Sequence, residues 1–175
     1  MPVSSESDYF SLLALPKRYA IDPSKVKAAQ RDLQRQFHPD RFVTAEPGER
    51  QRAAQMSATI NDAVQTLLDP VRRAAYLLSI SGVDADYDNI TISDSGFLME
   101  QMELRDELDE LLESEGSIAQ KEAFVSAVRE QYQLVQNQFS NAFKEARYSE
   151  ARDILARLHF FAKLYAEAGA LLQSA

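Results

Sequence analysis

Apolar residues recur at helical three- and four-residue spacing in the N-terminal half of the chain. Asp22 followed by Pro23 is a helix-start signal, and Pro39 predicts that this first helix ends near Phe37. A second helix is predicted over 49–68, and Asp69-Pro70 starts a third over 71–80. The predicted apolar positions of the first two helices are Val26, Ala29, Leu33 and Phe37, then Ala53, Met56, Ile60, Ala63, Val64 and Leu67. The pattern predicts an antiparallel helical hairpin with residues 38–40 at its tip.

Three more amphipathic helices are predicted in the C-terminal half, over 95–113, from 117 to about 145 and from about 149 to 172. The inward positions of the last two are Val125, Val128, Tyr132, Val135, Phe139 and Phe143, then Ala151, Ile154, Leu158, Phe161, Tyr165, Ala168 and Leu172. Because the loops between these helices are short, they predict an antiparallel three-helix bundle. Phe160 lies off the last stripe and is expected either to be exposed or to form a second contact surface. The fold class is therefore all-α.

The helix over 95–113 has apolar residues on two faces. Its core stripe is predicted to be Phe97, Leu104, Leu108 and Leu111. The opposite side carries Met99, Met102, Glu103, Asp106, Glu110 and Glu113, with Leu98 at its edge. Apolar residues clustered among acids away from the core indicate an interaction patch, and methionine suits adaptable partner surfaces. The alternative is that this face packs against the N-terminal half.

The segment over 82–94 lacks helical periodicity and is acidic. Asp84, Asp86 and Asp88 are spaced by two, as in a calcium loop, but the glycine and distal glutamate of an EF-hand are missing. We therefore interpret 82–94 as a linker between an N-terminal domain over 8–81 and the bundle over 95–175.

Charge is distributed unevenly along the chain. Residues 1–80 hold 11 Lys and Arg against 9 Asp and Glu, a net of +2, whereas residues 81–175 hold 8 against 18, a net of −10. The overall charge of −8 argues against nucleic-acid binding. The opposite character of the two parts suggests two surfaces for two partners, although solvated helix faces alone could produce it.

The basic residues of the first helix form a row. Lys27, Arg31 and Arg35 recur every four residues, away from the apolar face, and Arg41 adds a charge nearby. An ordinary solvated helix face is the alternative interpretation.

Candidate chemistry is sparse. The chain has no cysteine, which excludes disulfides and thiolate metal sites, and it has two histidines. His38 and Asp40 could supply two metal ligands, but a catalytic metal site needs about three and no third is obvious, while His159 is expected at the surface. No phosphate loop, nucleophile elbow or H-E-x-x-H motif is present. We therefore expect no catalytic residue, no metal site, no cofactor and no enzyme activity. No apolar run near 20 residues and no leader are seen, so no membrane span or secretory signal is expected.

Two motifs resemble a known family. Phe37-His38-Pro39-Asp40, between a basic helix and a long partner helix, resembles the signature of J-domain co-chaperones, and the run from Leu68 to Tyr76 resembles the D-P-x-x-R-A-x-Y run that closes many J-domains. The stretch from Phe97 to Glu110 is similar to the first C-terminal helix of the HscB family, the J-proteins of iron–sulfur cluster assembly.

This resemblance implies a J-domain hairpin over 8–81 that stimulates the ATPase chaperone HscA, and a bundle that delivers the iron–sulfur scaffold IscU to it. It implies that His38, Pro39 and Asp40 contact the ATPase, and the basic row with Arg41 is expected to assist. It places scaffold binding on Leu98, Met99, Met102, Glu103, Asp106, Glu110 and Phe160. Arg41, Met102 and Asp106 stand where Lys, Leu and Glu are common in relatives. The absence of the cysteine module and transit peptide of eukaryotic relatives favours a bacterial cytoplasmic protein, expected to be monomeric, without nucleic-acid or membrane partners.

Three functions remain distinguishable at this point. The co-chaperone hypothesis predicts ATPase stimulation that depends on the scaffold. A J-domain protein serving a different client would stimulate the ATPase without binding the scaffold. A metalloprotein or enzyme would carry stoichiometric bound metal.

Overall fold

The structure, a computed structural model, describes residues 8–87, 94–113 and 117–172. Every regular element in those ranges is helical, which confirms the all-α prediction. The described residues contain seven α-helices: α1 Tyr9–Leu12, α2 Pro23–Phe37, α3 Pro47–Leu68, α4 Pro70–Ser79, α5 Ser95–Glu113, α6 Ile118–Lys144 and α7 Tyr148–Ala168. Two 3₁₀ helices follow α2 and α7, at Pro39–Phe42 and Gly169–Leu172. The chain divides into two compact units, residues 1–80 and 81–175.

The first unit is a hairpin of α2 and α3, closed by the short helices α1 and α4. Asp22 caps α2 by accepting a hydrogen bond of 2.9 Å from the Ser24 amide, as the sequence predicts. Helix α3 starts at Pro47, two residues earlier than predicted, because proline fits the first helical position. Along the predicted stripe of α2 only Val26 is fully buried, since this helix has one long neighbour and not two.

A buried arginine joins α3 to α4. Asp69 caps α4 by accepting hydrogen bonds from the amides of Val71 and Arg72. Arg73 then turns inward: its Nη1 donates to the carbonyl oxygen of Leu67 at 2.7 Å, and its guanidinium lies 4.7 Å from the centre of the Tyr19 ring. A cation at the last carbonyls of α3 satisfies a helix end that would otherwise lack partners.

The second unit is the three-helix bundle of α5, α6 and α7. Ser117 begins α6 with a capping box, exchanging hydrogen bonds with Gln120. Helix α7 packs mainly along α6, and it also contacts α5 and the 3₁₀ helix that follows it. Its buried face is accordingly wider than the single predicted stripe and includes Leu155 and Leu164.

Several predicted inward positions are corrected by the structure. Leu172 is 46% exposed and Leu171 is buried instead, because the chain tightens to a 3₁₀ turn at Gly169 and the residue facing the core changes. In α6, Phe124 is buried whereas Val125, Tyr132 and Phe143 are half-buried. The 82–94 linker stays a prediction, since residues 88–93 lie outside the described residues, as do residues 173–175 of the predicted bundle.

Candidate functional site

The tip of the hairpin is formed by the break between α2 and the 3₁₀ helix that follows it. His38 ends α2 with extended backbone angles, φ −63° and ψ 130°, and Pro39 occupies the first position of the 3₁₀ helix. The His38 side chain then acts as an N-cap: its Nδ1 accepts a hydrogen bond of 3.3 Å from the Asp40 amide. The side chains of His38 and Asp40 remain 57% and 86% exposed. The break therefore presents an imidazole and a carboxylate to solvent on a defined backbone.

The four predicted cations occupy two positions: three lie along α2, and the fourth lies at its C-terminal end. Lys27, Arg31 and Arg35 are all exposed along one side of α2, and Arg35 makes a solvent-exposed ion pair of 3.7 Å with Asp32. Arg41 is also exposed, but its Nη1 donates to the carbonyl oxygen of Arg35 at 2.6 Å. Arg41 is thus held against the C-terminal end of α2, where a cation is favoured by the helix dipole. The hydrogen bond from Arg41 to Arg35 therefore joins the last residue of the row to the tip.

The predicted patch on α5 faces solvent. Leu98, Met99 and Met102 are 42%, 63% and 66% exposed. The predicted acids of the patch, Glu103, Asp106 and Glu110, are exposed as well. This arrangement gives the second unit an apolar centre with a charged rim, as in a protein–protein interface.

The first turn of α5 is fixed against α7, and this sets which residues point outward. Asp94 accepts a hydrogen bond of 3.2 Å from the Phe97 amide and pairs with Arg157, whose guanidinium lies 4.5 Å from the centre of the Phe97 ring. The hydrogen bond from the Phe97 amide, assisted by Arg157, lowers the pKa of Asp94 below its usual range. Phe97 is 2% exposed. Because Phe97 points into the bundle, the next two residues, Leu98 and Met99, point away from it.

Phe160 is neither fully exposed nor part of the main stripe. Its half-buried ring meets the Phe97 ring edge-on, with centroids 5.7 Å apart, and the Phe161 ring at 5.2 Å. The Arg105 guanidinium lies 5.7 Å from its centre, and Arg105 also pairs with Glu167. Phe160 therefore belongs to the contact between α5 and α7.

Sequence reasoning missed Arg105. It is the only cation in the acidic helix α5, and it stands seven residues after Leu98, on the same side of that helix. The sequence did contain a signal for this residue: a single arginine in an acidic helix, two turns after a leucine predicted at the edge of the patch.

Within residues 8–87, 94–113 and 117–172, no three His, Cys, Asp or Glu side chains are grouped so that they could hold a metal ion. His159 is half-buried and meets the Tyr87 ring edge-on at 4.8 Å. None of the described helices combines the length and the hydropathy needed to cross a membrane. Both surfaces present exposed charged or apolar side chains, which suit the binding of another protein.

Comparisons with known proteins cover both units. A DnaJ domain model matches residues 8–76, and a model described as the HSCB C-terminal oligomerisation domain matches residues 93–169. The chaperone HscB from Vibrio cholerae is 38% identical, with 95% of this chain and 99% of that chain covered and a TM-score of 0.86. Human co-chaperone protein HscB is 29% identical over 95% and 83% of the two chains, also with a TM-score of 0.86. The Jac1 co-chaperone from Saccharomyces cerevisiae, at 24% identity and a TM-score of 0.73, shares the fold.

Proposed function

This chain belongs to the HscB family, J-domain co-chaperones of iron–sulfur cluster assembly, and we propose that it couples an HscA-type ATPase to an IscU-type scaffold. Membership of a J-domain family implies an Hsp70-type partner. The finer proposal assigns that partner to the tip and the basic row, and the scaffold to the α5 patch. The observation that carries it is the exposed apolar patch of Leu98, Met99 and Met102, a second recognition surface on a unit separate from the hairpin.

On the ATPase side, His38, Pro39 and Asp40 form the contact and the basic row guides its approach. The row adds positive charge without burial, so it raises the association rate more than the final affinity. Each exposed ion pair is worth only about 0.2–1 kcal/mol. The contact at the tip therefore has to supply the specificity.

On the scaffold side, Leu98, Met99 and Met102 form the apolar centre, and Phe160 of α7 is assigned to the same surface. Their exposure leaves apolar area for a partner to bury. The rim of Glu103, Asp106 and Glu110 selects a partner with complementary positive charge. Scaffold bound here is carried to the ATPase at a raised effective concentration, and ATP is hydrolysed by the partner, not by this chain.

The test is the steady-state ATPase rate of an HscA-type chaperone, with and without IscU-type scaffold, titrated with this protein. The double variant Met99→Ala/Met102→Ala should bind scaffold about 2–4 kcal/mol more weakly, by the magnitudes of interface hot spots. It should keep the basal stimulation and lose the enhancement by scaffold. Leu112→Ala is the matched control, since Leu112 is 47% exposed on the same helix but lies about 15 Å beyond Met102, outside the proposed surface.

The outcomes separate the candidate functions. Enhancement by scaffold that is lost in the double variant and kept in Leu112→Ala supports both assignments. ATPase stimulation that is the same with and without scaffold supports the role of the hairpin but indicates a different client. An unstimulated ATPase overturns the proposal.

A further inference from the structure

A groove separates α5 from α6. It has a volume of about 1070 Å³, and its floor is apolar, formed by Leu104 and Leu111 of α5, Phe124 and Val128 of α6, and Phe161 of α7. Leu104 and Leu111 belong to the predicted core stripe of α5, yet both are only half-buried. Half of that stripe is thus left facing the groove, while Phe97 and Leu108 are buried against the bundle.

The two walls of the groove differ in charge. The α5 wall carries Glu100, Glu107, Glu110 and Glu113, which span 14 residues or about 20 Å of helix. The α6 wall is uncharged, with Gln120, Ala123, Ala127 and Gln131. The two alanines leave space for bulky side chains of a ligand. The groove therefore pairs an apolar floor with negative charge along a single edge.

These features select the chemistry of an occupant. The groove volume lies at the upper limit of small-molecule pockets, which are about 300–1,000 Å³, so the groove is large enough for a peptide segment. The acidic wall disfavours nucleic acid, which is itself negatively charged. A second copy of this chain also fits poorly. Its bundle has the same acidic character, and the basic helix α2 already packs its apolar face on α3, with Val26 fully buried.

We propose that this groove binds an amphipathic helical segment of a partner protein, about 14 residues long, with Lys and Arg along one flank. The apolar face of that segment covers Leu104 and Leu111, and its basic flank lies along the α5 glutamates. The site lies on a different side of α5 from Leu98 and Met102, and shares only Glu110 with the proposed scaffold surface. It is thus an additional docking site and does not depend on the assignment of the scaffold.

The probe is a synthetic peptide of about 14 residues, with leucines and one tryptophan on one face and lysines along one flank. This protein has no tryptophan, so tryptophan emission reports on the peptide alone. We expect saturable 1:1 binding with a blue shift of that emission, absent for a matched peptide with glutamates in place of the lysines. Ala127→Phe, which fills the groove from an exposed position, and Glu107→Lys, which reverses the wall charge, should each lower the affinity at least tenfold.

Glu122→Lys is the matched control, because Glu122 is exposed on the opposite face of α6 and should leave the affinity within twofold. Hydrogen exchange on the full chain provides a second measurement, with protection expected in α5 and α6 when peptide is bound. Equal losses for Glu107→Lys and Glu122→Lys would mean general electrostatic adsorption and would overturn the proposal. Peptide affinity that is unchanged in Ala127→Phe would also overturn the proposal. A dimer observed by sedimentation that prevents peptide binding would overturn it too, and would assign the groove to a second copy of this chain.

Discussion

Phe160→Ala should destabilise the bundle as well as weaken scaffold binding, whereas Met102→Ala should affect binding alone. Phe160 makes edge-on ring contacts with Phe97 and Phe161, at 5.7 and 5.2 Å, and lies under the Arg105 guanidinium. Met102 is 66% exposed. The two residues belong to the same proposed surface, but only the first also ties α5 to α7.

The contacts set the expected size of the effect. Each aromatic pair contributes about 0.5–1.5 kcal/mol beyond burial, and a partly exposed cation–π contact contributes about 0.5–1 kcal/mol. We expect Phe160→Ala to lower the free energy of unfolding by about 2–3 kcal/mol and Met102→Ala by less than about 0.5 kcal/mol. At an m-value of about 2 kcal/mol/M, the first variant lowers the urea midpoint by about 1–1.5 M.

The assay is urea unfolding followed by circular dichroism, with scaffold binding by calorimetry under conditions where both variants are folded. Both should bind scaffold at least about 1 kcal/mol more weakly. Equal urea midpoints for the two variants would refute the packing role of Phe160. Undiminished scaffold binding by folded Met102→Ala would refute the assignment of Met102.

The remaining predictions concern the first unit. His38→Gln should abolish ATPase stimulation without moving the urea midpoint, because the exposed His38 side chain contacts Asp40 of its own turn, through a 3.3 Å hydrogen bond from the Asp40 amide and a 3.6 Å approach to the Asp40 carboxylate. A lowered midpoint would instead indicate a structural role. Arg31→Glu should reduce stimulation strongly at low salt and little at high salt, because the Debye length falls from about 30 Å at 0.01 M to about 3 Å at 1 M; the same loss at both would contradict steering. The hydrogen bond to Asp62 raises the pKa of Tyr9 from 10.0 to about 12, so its contribution to stability is complete below pH 10 and is lost as the pH rises through 12. The urea midpoints of wild type and Tyr9→Phe should therefore converge between pH 10 and 12, and a constant difference would show that the phenol does not titrate as proposed.

The helices of this chain were predictable because their signals are local. Asp22-Pro23 and Pro39 predicted the observed bounds of α2, and the start and end of α5 also agree with the sequence pattern. These signals act through backbone angles and capping hydrogen bonds within one helical turn. Where a signal was weaker, as at the start of α3, the prediction was wrong by two residues.

Packing between helices was less predictable, because the apolar stripe of a helix identifies one buried face but not how many other helices pack against it. Helix α7 contacts two helices and buries Leu155 and Leu164 outside its predicted stripe. Phe124 was missed because the helical wheel assigned the inward face of α6 without knowledge of where α5 lies. The role of Arg105 depends on Glu167 and Phe160, which are more than 50 residues away in sequence.

The sequence by itself determined the helical fold class, the broken helix that exposes His38 and Asp40, and the outward face of Met99 and Met102. Each follows from spacing within a single helix or from a proline beside it. The tertiary structure decided what lies between helices: the packing of Phe160, the capping arginine at Leu67, and the acidic groove between α5 and α6. Those features depend on how far apart two helices lie and which faces they turn to each other. That outcome is set by the fit of all the side chains together, and periodicity along one helix carries no information about it.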